Sequence, residues 1–330
     1  MVGNWEYANN HGKEGVMKKT IKKPKKTSKK PRNVRSAGNV CSIGNMPRNV
    51  QANTKRICVA VPTTGLIRVE WMMARFGVTI PINWSQGAMF QYYNQYSPID
   101  YVVADARNIC CEYSISNGFE WTFFIDHDVV IPPDVMIKFG EYMRKKKYPV
   151  ISGLYYCKGS HPEPLIFRGR GNSYFADWKF GDKVMVDGIP MGCVMIHNSV
   201  LKVMQAESEV YTVSSRMGPV VVRRIFQTPR KSWQDPESGK YNTTSGTEDL
   251  PWCERVIERK VLKRAGWDHV ADEKYPFLMD TSIFCQHLDN NGNAYPGAGY
   301  KQMPQYKDSK LKEKEDKGFS VKGETKGSQY

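Results

Sequence analysis

Residues Phe119 to Asp134 read FEWTFFIDHDVVIPPD, and they hold the densest chemistry in this 330-residue chain. Asp126 and Asp128 stand two apart, directly after an unbroken apolar run, Trp121 to Ile125. Two carboxylates this close repel unless something positive joins them, so a divalent cation is their natural partner. A second acid pair, Glu248-Asp249, follows Thr247 where a helix is expected to begin. Acids suit a helix start on electrostatic grounds alone, so that pair has a plain structural reading as well as a catalytic one. A lone histidine, His287, closes the short apolar run Ser282 to Cys285.

The elements around these residues follow from spacing. Trp121 to Ile125 is too short for a helix and too uniform for a half-exposed strand. It reads as a strand buried on both faces of a mostly parallel sheet, with the acids at its carboxyl end, where open α/β sheets place ligands. Residues 56–61 read as the first strand, with Pro62-Thr63-Thr64-Gly65 as the loop at its carboxyl end. A short helix is expected over 67–76 and a second strand over 78–83. Residues 99–117 have helical spacing, with Ile99, Val102, Val103, Ala106, Cys110 and Tyr113 on the apolar face, Asn108 on the polar one and Arg107 at the border. A helix follows over 135–147 and a buried strand over 150–156. Strands alternating with helices imply parallel pairing with right-handed crossovers.

Beyond residue 157 the pattern changes to shorter strands near 164–168, 184–186 and 193–197. Asn198 is expected to cap a helix over 199–205. Residues 216–246 read as a mobile polar loop region beside a binding site. Thr247 is expected to cap a helix reaching to about 263.

The charge is uneven. Residues 1–56 carry 14 Lys and Arg against 2 acids, whereas residues 57–300 carry 26 of each sign. Residues 1–55 are expected to form a disordered basic tail, 56–300 one globular domain, and 301–330 a flexible charged tail. The basic run at 18–35 fits nucleic acid or an acidic membrane surface through sequence-blind electrostatics, and it also fits a solvated tail with no partner. No apolar run is long enough to span a membrane and no signal core is visible. The eight cysteines have no CxxC spacing and mostly lie in apolar runs, so free buried thiols and a cytoplasmic setting are expected.

FFIDHD, GIPMGCVMI, TEDLPWCERV and FCQH occur in an order that resembles GT-A-fold glycosyltransferases, family-2-like, of the phage and prokaryotic type. The resemblance covers roughly residues 56–290. It implies a mostly parallel central sheet flanked by helices, with a smaller mixed sheet on the acceptor side. It implies transfer of a sugar from a nucleotide-sugar donor to a hydroxyl acceptor (glycan, lipid, protein or modified nucleic acid). Carried onto this sequence, Asp128 becomes the metal ligand, Asp126 a ribose or second metal contact, and His287 the third metal ligand. Asp249 becomes the general base of an inverting reaction, with Glu248 orienting the acceptor. Pro62, Thr63 and Thr64 fall where the family binds the nucleotide base, and Arg107 and Asn108 near the base or diphosphate. Gly192 matches a glycine that leaves room for a sugar. His127 departs from the family and is expected to point away.

A carboxylate and imidazole set suits Mn²⁺ better than Mg²⁺, which prefers oxygen and water. Trp233 and Trp252 are candidates for stacking on a sugar, and Cys193, with no base to activate it, reads as core. Two other functions remain open. One is a nucleotidyltransferase, although PTTG lacks the basic, glycine-rich phosphate loop usual there. The other is a nucleic-acid-binding protein that works through its basic tail.

Overall fold

The structure, a computed structural model, describes residues 56–80, 93–159, 162–169, 175–215 and 218–297. The expectations for residues 1–55 and 301–330 lie outside them.

A seven-stranded sheet forms the centre, in the order β2-β1-β3-β7-β5-β12-β6. Its strands are β1 (Ile57–Ala60), β2 (Tyr93–Tyr96), β3 (Trp121–Ile125), β5 (Val150–Leu154), β6 (Lys183–Val186), β7 (Cys193–His197) and β12 (Phe277–Phe284). β1 pairs in parallel with β2 and β3, and β5 with β12. β7 runs antiparallel between β3 and β5, and β6 runs antiparallel along β12. The sheet is therefore mostly parallel, with β7 and β6 reversed. All five residues of β3 are buried, as an unbroken apolar run requires of a strand covered on both faces. Phe123 meets Phe139 on one side at 5.0 Å and Phe124 meets Phe226 on the other at 5.6 Å, both edge to face.

The main helices are α1 (Val69–Phe76), α2 (Val103–Ser116), α3 (Val135–Lys145), α4 (Asn198–Glu207) and α5 (Asp249–Glu258), followed by the short α6 (Val261–Arg264) and α7 (Asp268–Ala271). No helix among the described residues is long and apolar enough to cross a membrane. A small sheet joins β4 (Val129–Val130), β13 (Gln286–Leu288) and β14 (Ala294–Tyr295). It is wholly antiparallel rather than mixed, and it grows from the segment just past Asp128.

Several expectations need correction. The strand beside β1 lies at 93–96. Residues 78–80 are irregular, and 81–83 lie outside the described residues. The apolar face expected over 99–117 holds in part: Ala106 and Cys110 are buried, but Ile99, Val102 and Val103 are exposed, whereas Arg107 and Asn108 are buried. The reason is a hairpin of β8 (Val210–Ser215) and β9 (Gly218–Arg223), which covers the helix and recruits its polar side chains. Asn108 donates to Tyr211 Oη and to the Phe226 carbonyl, and accepts from the Phe226 N–H. Glu112 accepts from Gln205 and from the Arg223 N–H.

The region 216–246 is not a structureless loop. It contains β9 and a second hairpin, β10 (Arg230–Gln234) with β11 (Tyr241–Ser245). Residues 164–168 form only isolated bridges, Tyr156 with Pro164 and Phe167 with Gly188. Asn198 does not cap α4. His197 does, its ring nitrogen accepting the Ser199 N–H at 3.2 Å. Asn198 instead turns inward and ties Ser114, Phe119 and Thr122 together. Glu248, not Thr247, stands at the N-cap of α5, which ends at Glu258. The seven described cysteines are free, and all but Cys157 are buried.

Candidate functional site at the carboxyl end of the central strand

β3 delivers Asp126 to the sheet edge, and the backbone there is pinned from three sides. The Asp126 N–H donates to the Gly192 carbonyl at 3.0 Å, the Trp71 indole N–H donates to the Asp126 carbonyl at 2.8 Å, and the Val129 N–H reaches the same carbonyl at 3.0 Å. The chain turns through His127 and Asp128 and enters β4.

Arg107, brought by the first turns of α2, lies beneath. Its side chain is 2% exposed. One terminal nitrogen donates to both Asp126 oxygens, at 2.8 and 3.0 Å. Nε donates to Glu248 at 2.7 Å, and the remaining nitrogen reaches the Met191 carbonyl at 3.3 Å. A single fixed guanidinium thus holds together β3, the turn before β7 and the start of α5, a use that suits arginine's rigid fork. Burial disfavours its charge, but Asp126 and then Glu248 hold its pKa above the ordinary value.

Two carboxylates share that one cation. Burial pushes Asp126 up despite Arg107, with the Asp128 and Glu248 charges adding to the effect. Burial also works on Glu248, but Arg107 outweighs it and lowers its pKa. Asp249 accepts the Met191 N–H at 3.1 Å. Burial first, and the Glu248 charge second, push its carboxyl well above the usual carboxylate range.

Asp128 Oδ2 meets two cationic or metal-ligating side chains, Lys158 Nζ at 2.6 Å and His287 Nε2 at 3.4 Å. Burial alone would raise this carboxyl, but His287 and then Lys158 together hold it well below the usual range. Backbone pairing puts His287 there. It stands opposite Val129 in the β13–β4 ladder, and the Leu288 N–H donates to the Asp128 carbonyl at 2.7 Å. His287 Nδ1 lies 2.9 Å from the Tyr156 carbonyl. A carbonyl can only accept, so Nδ1 carries a proton and donates.

Nε2 then meets the Asp128 oxygen in one of two ways, as the protonated donor of an ion pair or as a bare lone pair. Two acceptors face each other only if Nε2 is also protonated or a cation sits between them. Two ligands about 2.2 Å from one ion, on neighbouring coordination positions, lie about 3 Å apart. The Asp128–His287 pair is close to that, and its Nδ1–H···O=C bond is the usual support of a ligating histidine. These two residues fit a divalent ion. Asp126 is less available, because both its oxygens are on Arg107. Accordingly, no cluster of three His, Cys, Asp or Glu residues arranged for a metal occurs among the described residues.

A cavity of about 890 Å³ opens here, lined by Arg107, Asp126, Tyr155, Glu248, Asp249 and His287, with Pro229, Ser245 and Gly246 along one side. Asp126, the Glu248–Asp249 pair, Arg107 and His287 therefore meet at one cavity, while Asp128 is not a wall residue and reaches it through His287. Pro62, Thr63, Thr64 and Asn108 do not line it. Thr63 is buried and its hydroxyl accepts the Gly65 N–H, and the polar atoms of Asn108 are engaged in the β8–β9 contact. His127 is half-buried and not a wall residue. Gly192 does not leave room for a sugar. A Cβ there would fall 2.5 Å from Tyr155 Oη, which accepts the Gly192 N–H at 2.9 Å. Trp252 is buried and stacked on Phe226, so it is core, as is Cys193. Trp233 is 41% exposed on β10. Lys158 and Tyr155 escaped the sequence reading. Their one signal was position, just after the carboxyl end of a buried strand parallel to β3.

No protein-family model and no curated protein matches the sequence. Among solved structures, the chain is similar to A197 from STIV at 14% identity and a TM-score of 0.42, covering 77% of this chain and 95% of that one. It is similar to S. aureus TarS 1-349 in complex with UDP-GlcNAc at 11% identity and a TM-score of 0.29, covering 44% of this chain and 46% of that one. A CMP:2-keto-3-deoxy-manno-octonic acid synthetase complexed with CTP overlaps at 7% identity and a TM-score of 0.25, covering 74% of this chain and 93% of that one. What the chain does is read from its own side chains.

Proposed function

We propose that the protein is a divalent-metal-dependent glycosyltransferase that moves a sugar from a nucleoside-diphosphate sugar to a hydroxyl acceptor. The observation that carries this reading is the 3.4 Å approach of Asp128 to His287, a wall residue of a cavity that Asp126, Glu248 and Asp249 also line.

Each group has a task under this reading. Asp128 and His287 hold the ion, Mn²⁺ in preference to Mg²⁺ given the imidazole. Once bound, the ion supplies positive charge against the diphosphate as the glycosidic bond to it breaks. Asp126, kept in place by Arg107, faces the donor's ribose or the ion. Asp249 takes the proton of the acceptor hydroxyl. Its raised pKa makes it a stronger base than an ordinary carboxylate, and the Met191 N–H fixes its orientation. Glu248, fixed by Arg107, orients the acceptor. The cavity, about 890 Å³, offers room for both substrates side by side.

A thermal-shift panel of UDP-, GDP-, CMP- and dTDP-sugars, each with and without Mn²⁺, tests the proposal. Stabilisation by one nucleotide class, dependent on Mn²⁺ and lost in Asp128→Asn, is the expected result. No shift with any donor, or a shift indifferent to the metal, would refute it.

A further inference from the structure

The Asp128 carboxylate does not wait empty for an ion: Lys158 Nζ already lies 2.6 Å from the same oxygen that faces His287. Lys158 follows β5, the strand parallel to β12 in the same sheet, and its side chain is 25% exposed. The contact is one charge-assisted hydrogen bond between side chains 25% and 28% exposed. The neighbouring residues are far more firmly held: Tyr155 Oη by Gly192, the Tyr156 carbonyl by His287, and the Cys157 N–H by the Glu163 carbonyl. A flexible cation thus sits on a rigid base beside the proposed metal ligand.

We infer that Lys158 is a second cation of the donor site. It neutralises Asp128 when no ion is bound, and passes to a phosphoryl oxygen of the donor diphosphate when an ion takes the carboxylate. This rests on the metal-dependent reading above. The exchange is electrostatically consistent. A metal ion that displaces the ammonium from Asp128 frees it beside a ligand carrying several negative oxygens, and lysine serves there as a compact, mobile point charge. No bond to carbon changes in this step. Lys158 moves from one anion to another, and the charge on the diphosphate is then met from two sides.

The inference makes two opposite demands of one substitution. In Lys158→Met the full-length protein loses a competitor for Asp128, so it should bind Mn²⁺ alone about tenfold more tightly, the worth of one charge-assisted hydrogen bond. The same variant, saturated with Mn²⁺, should bind inorganic pyrophosphate at least about tenfold more weakly. Lys158→Arg should keep pyrophosphate binding near wild type, because a guanidinium also grips phosphate. Titration calorimetry and the Mn²⁺ electron paramagnetic resonance signal read both without any turnover. Unchanged or weaker Mn²⁺ binding in Lys158→Met would overturn the inference, and so would unchanged pyrophosphate binding. If the wild type binds Mn²⁺ and the variant matches it, only the role of Lys158 fails. If neither protein binds Mn²⁺, the metal-dependent reading fails and takes this inference with it.

Discussion

Replacing Arg107 by methionine tests how the site is held together. The guanidinium is 2% exposed and its bonds of 2.7 and 2.8 Å are shared between Glu248 and Asp126. Methionine keeps most of the volume and removes the charge. Two carboxylates are then left without a cation in a largely buried place. Breaking a buried ion pair from one side costs about 3–5 kcal/mol. For a domain of this size that corresponds to a fall in Tm of about 6–20 °C. The deficit must also depend on pH. Without Arg107, the folded-state pKa of Asp126, already raised by burial, rises further, and that of Glu248, which Arg107 holds down, rises above its unfolded value. The folded variant then binds protons that the unfolded chain does not, so its stability is present at low pH and is lost as pH rises through the folded values. Urea unfolding followed by tryptophan fluorescence at pH 5 and pH 8 reads both effects. The gap between wild type and Arg107→Met should be wider at pH 8. Adding Asp126→Asn and Glu248→Gln should recover much of it. A single variant within about 1 kcal/mol of wild type at pH 8 would show that Arg107 is not the clamp described here.

Other perturbations have equally direct readings. Asp128→Asn should lower donor turnover at least about 100-fold and cost about 1–3 kcal/mol of stability, the range for losing hydrogen bonds to a charged group; calorimetry beside a donor-hydrolysis assay checks this. Gly192→Ala should destabilise by about 1–3 kcal/mol, because the new methyl meets Tyr155 Oη and Val129, and Tyr155→Phe in the same chain should return part of the loss in chemical denaturation. His197 is half-buried against Trp121 and Trp267, and its desolvation, only partly opposed by Glu120, lowers its pKa to about 4. The unfolded chain therefore takes up its proton first, and stability is lost as pH falls from about 6.5 towards the folded value. Relative to His197→Asn, which keeps a capping acceptor, wild type should lose about 2 kcal/mol between pH 7 and pH 5; a difference flat across that range would contradict the burial argument.

What could be read in advance depended on where the physics is local. β3 was legible because an apolar run buried on both faces has one reading, and the acids after it follow from sheet architecture. β2 was not. Its sequence Tyr-Asn-Gln-Tyr sits at the sheet edge, and half of it is polar. The hairpin of β10 and β11 is exposed along its whole length, so no alternation of burial marked it. The polar face of α2 misled for the opposite reason: a hairpin distant in sequence covered it, turning Asn108 and Glu112 into connectors. In the site, residue types were visible but their partners were not. That Arg107 grips both Asp126 and Glu248, or that Lys158 meets Asp128, depends on crossovers that no local spacing encodes.

The ladder between β13 and β4 has a practical consequence for redesign. Main-chain bonds, not side chains, fix how far position 287 stands from position 128. A one-residue slip would turn the imidazole to the opposite face, and the small sheet's pairing resists it. Both positions can therefore be recombined as a two-site library, with carboxylates, amides or imidazoles exchanged at a constant separation. Under the proposed metal-dependent reading, ion preference should then follow the donor atoms placed at these two positions, leaving the rest of the architecture untouched.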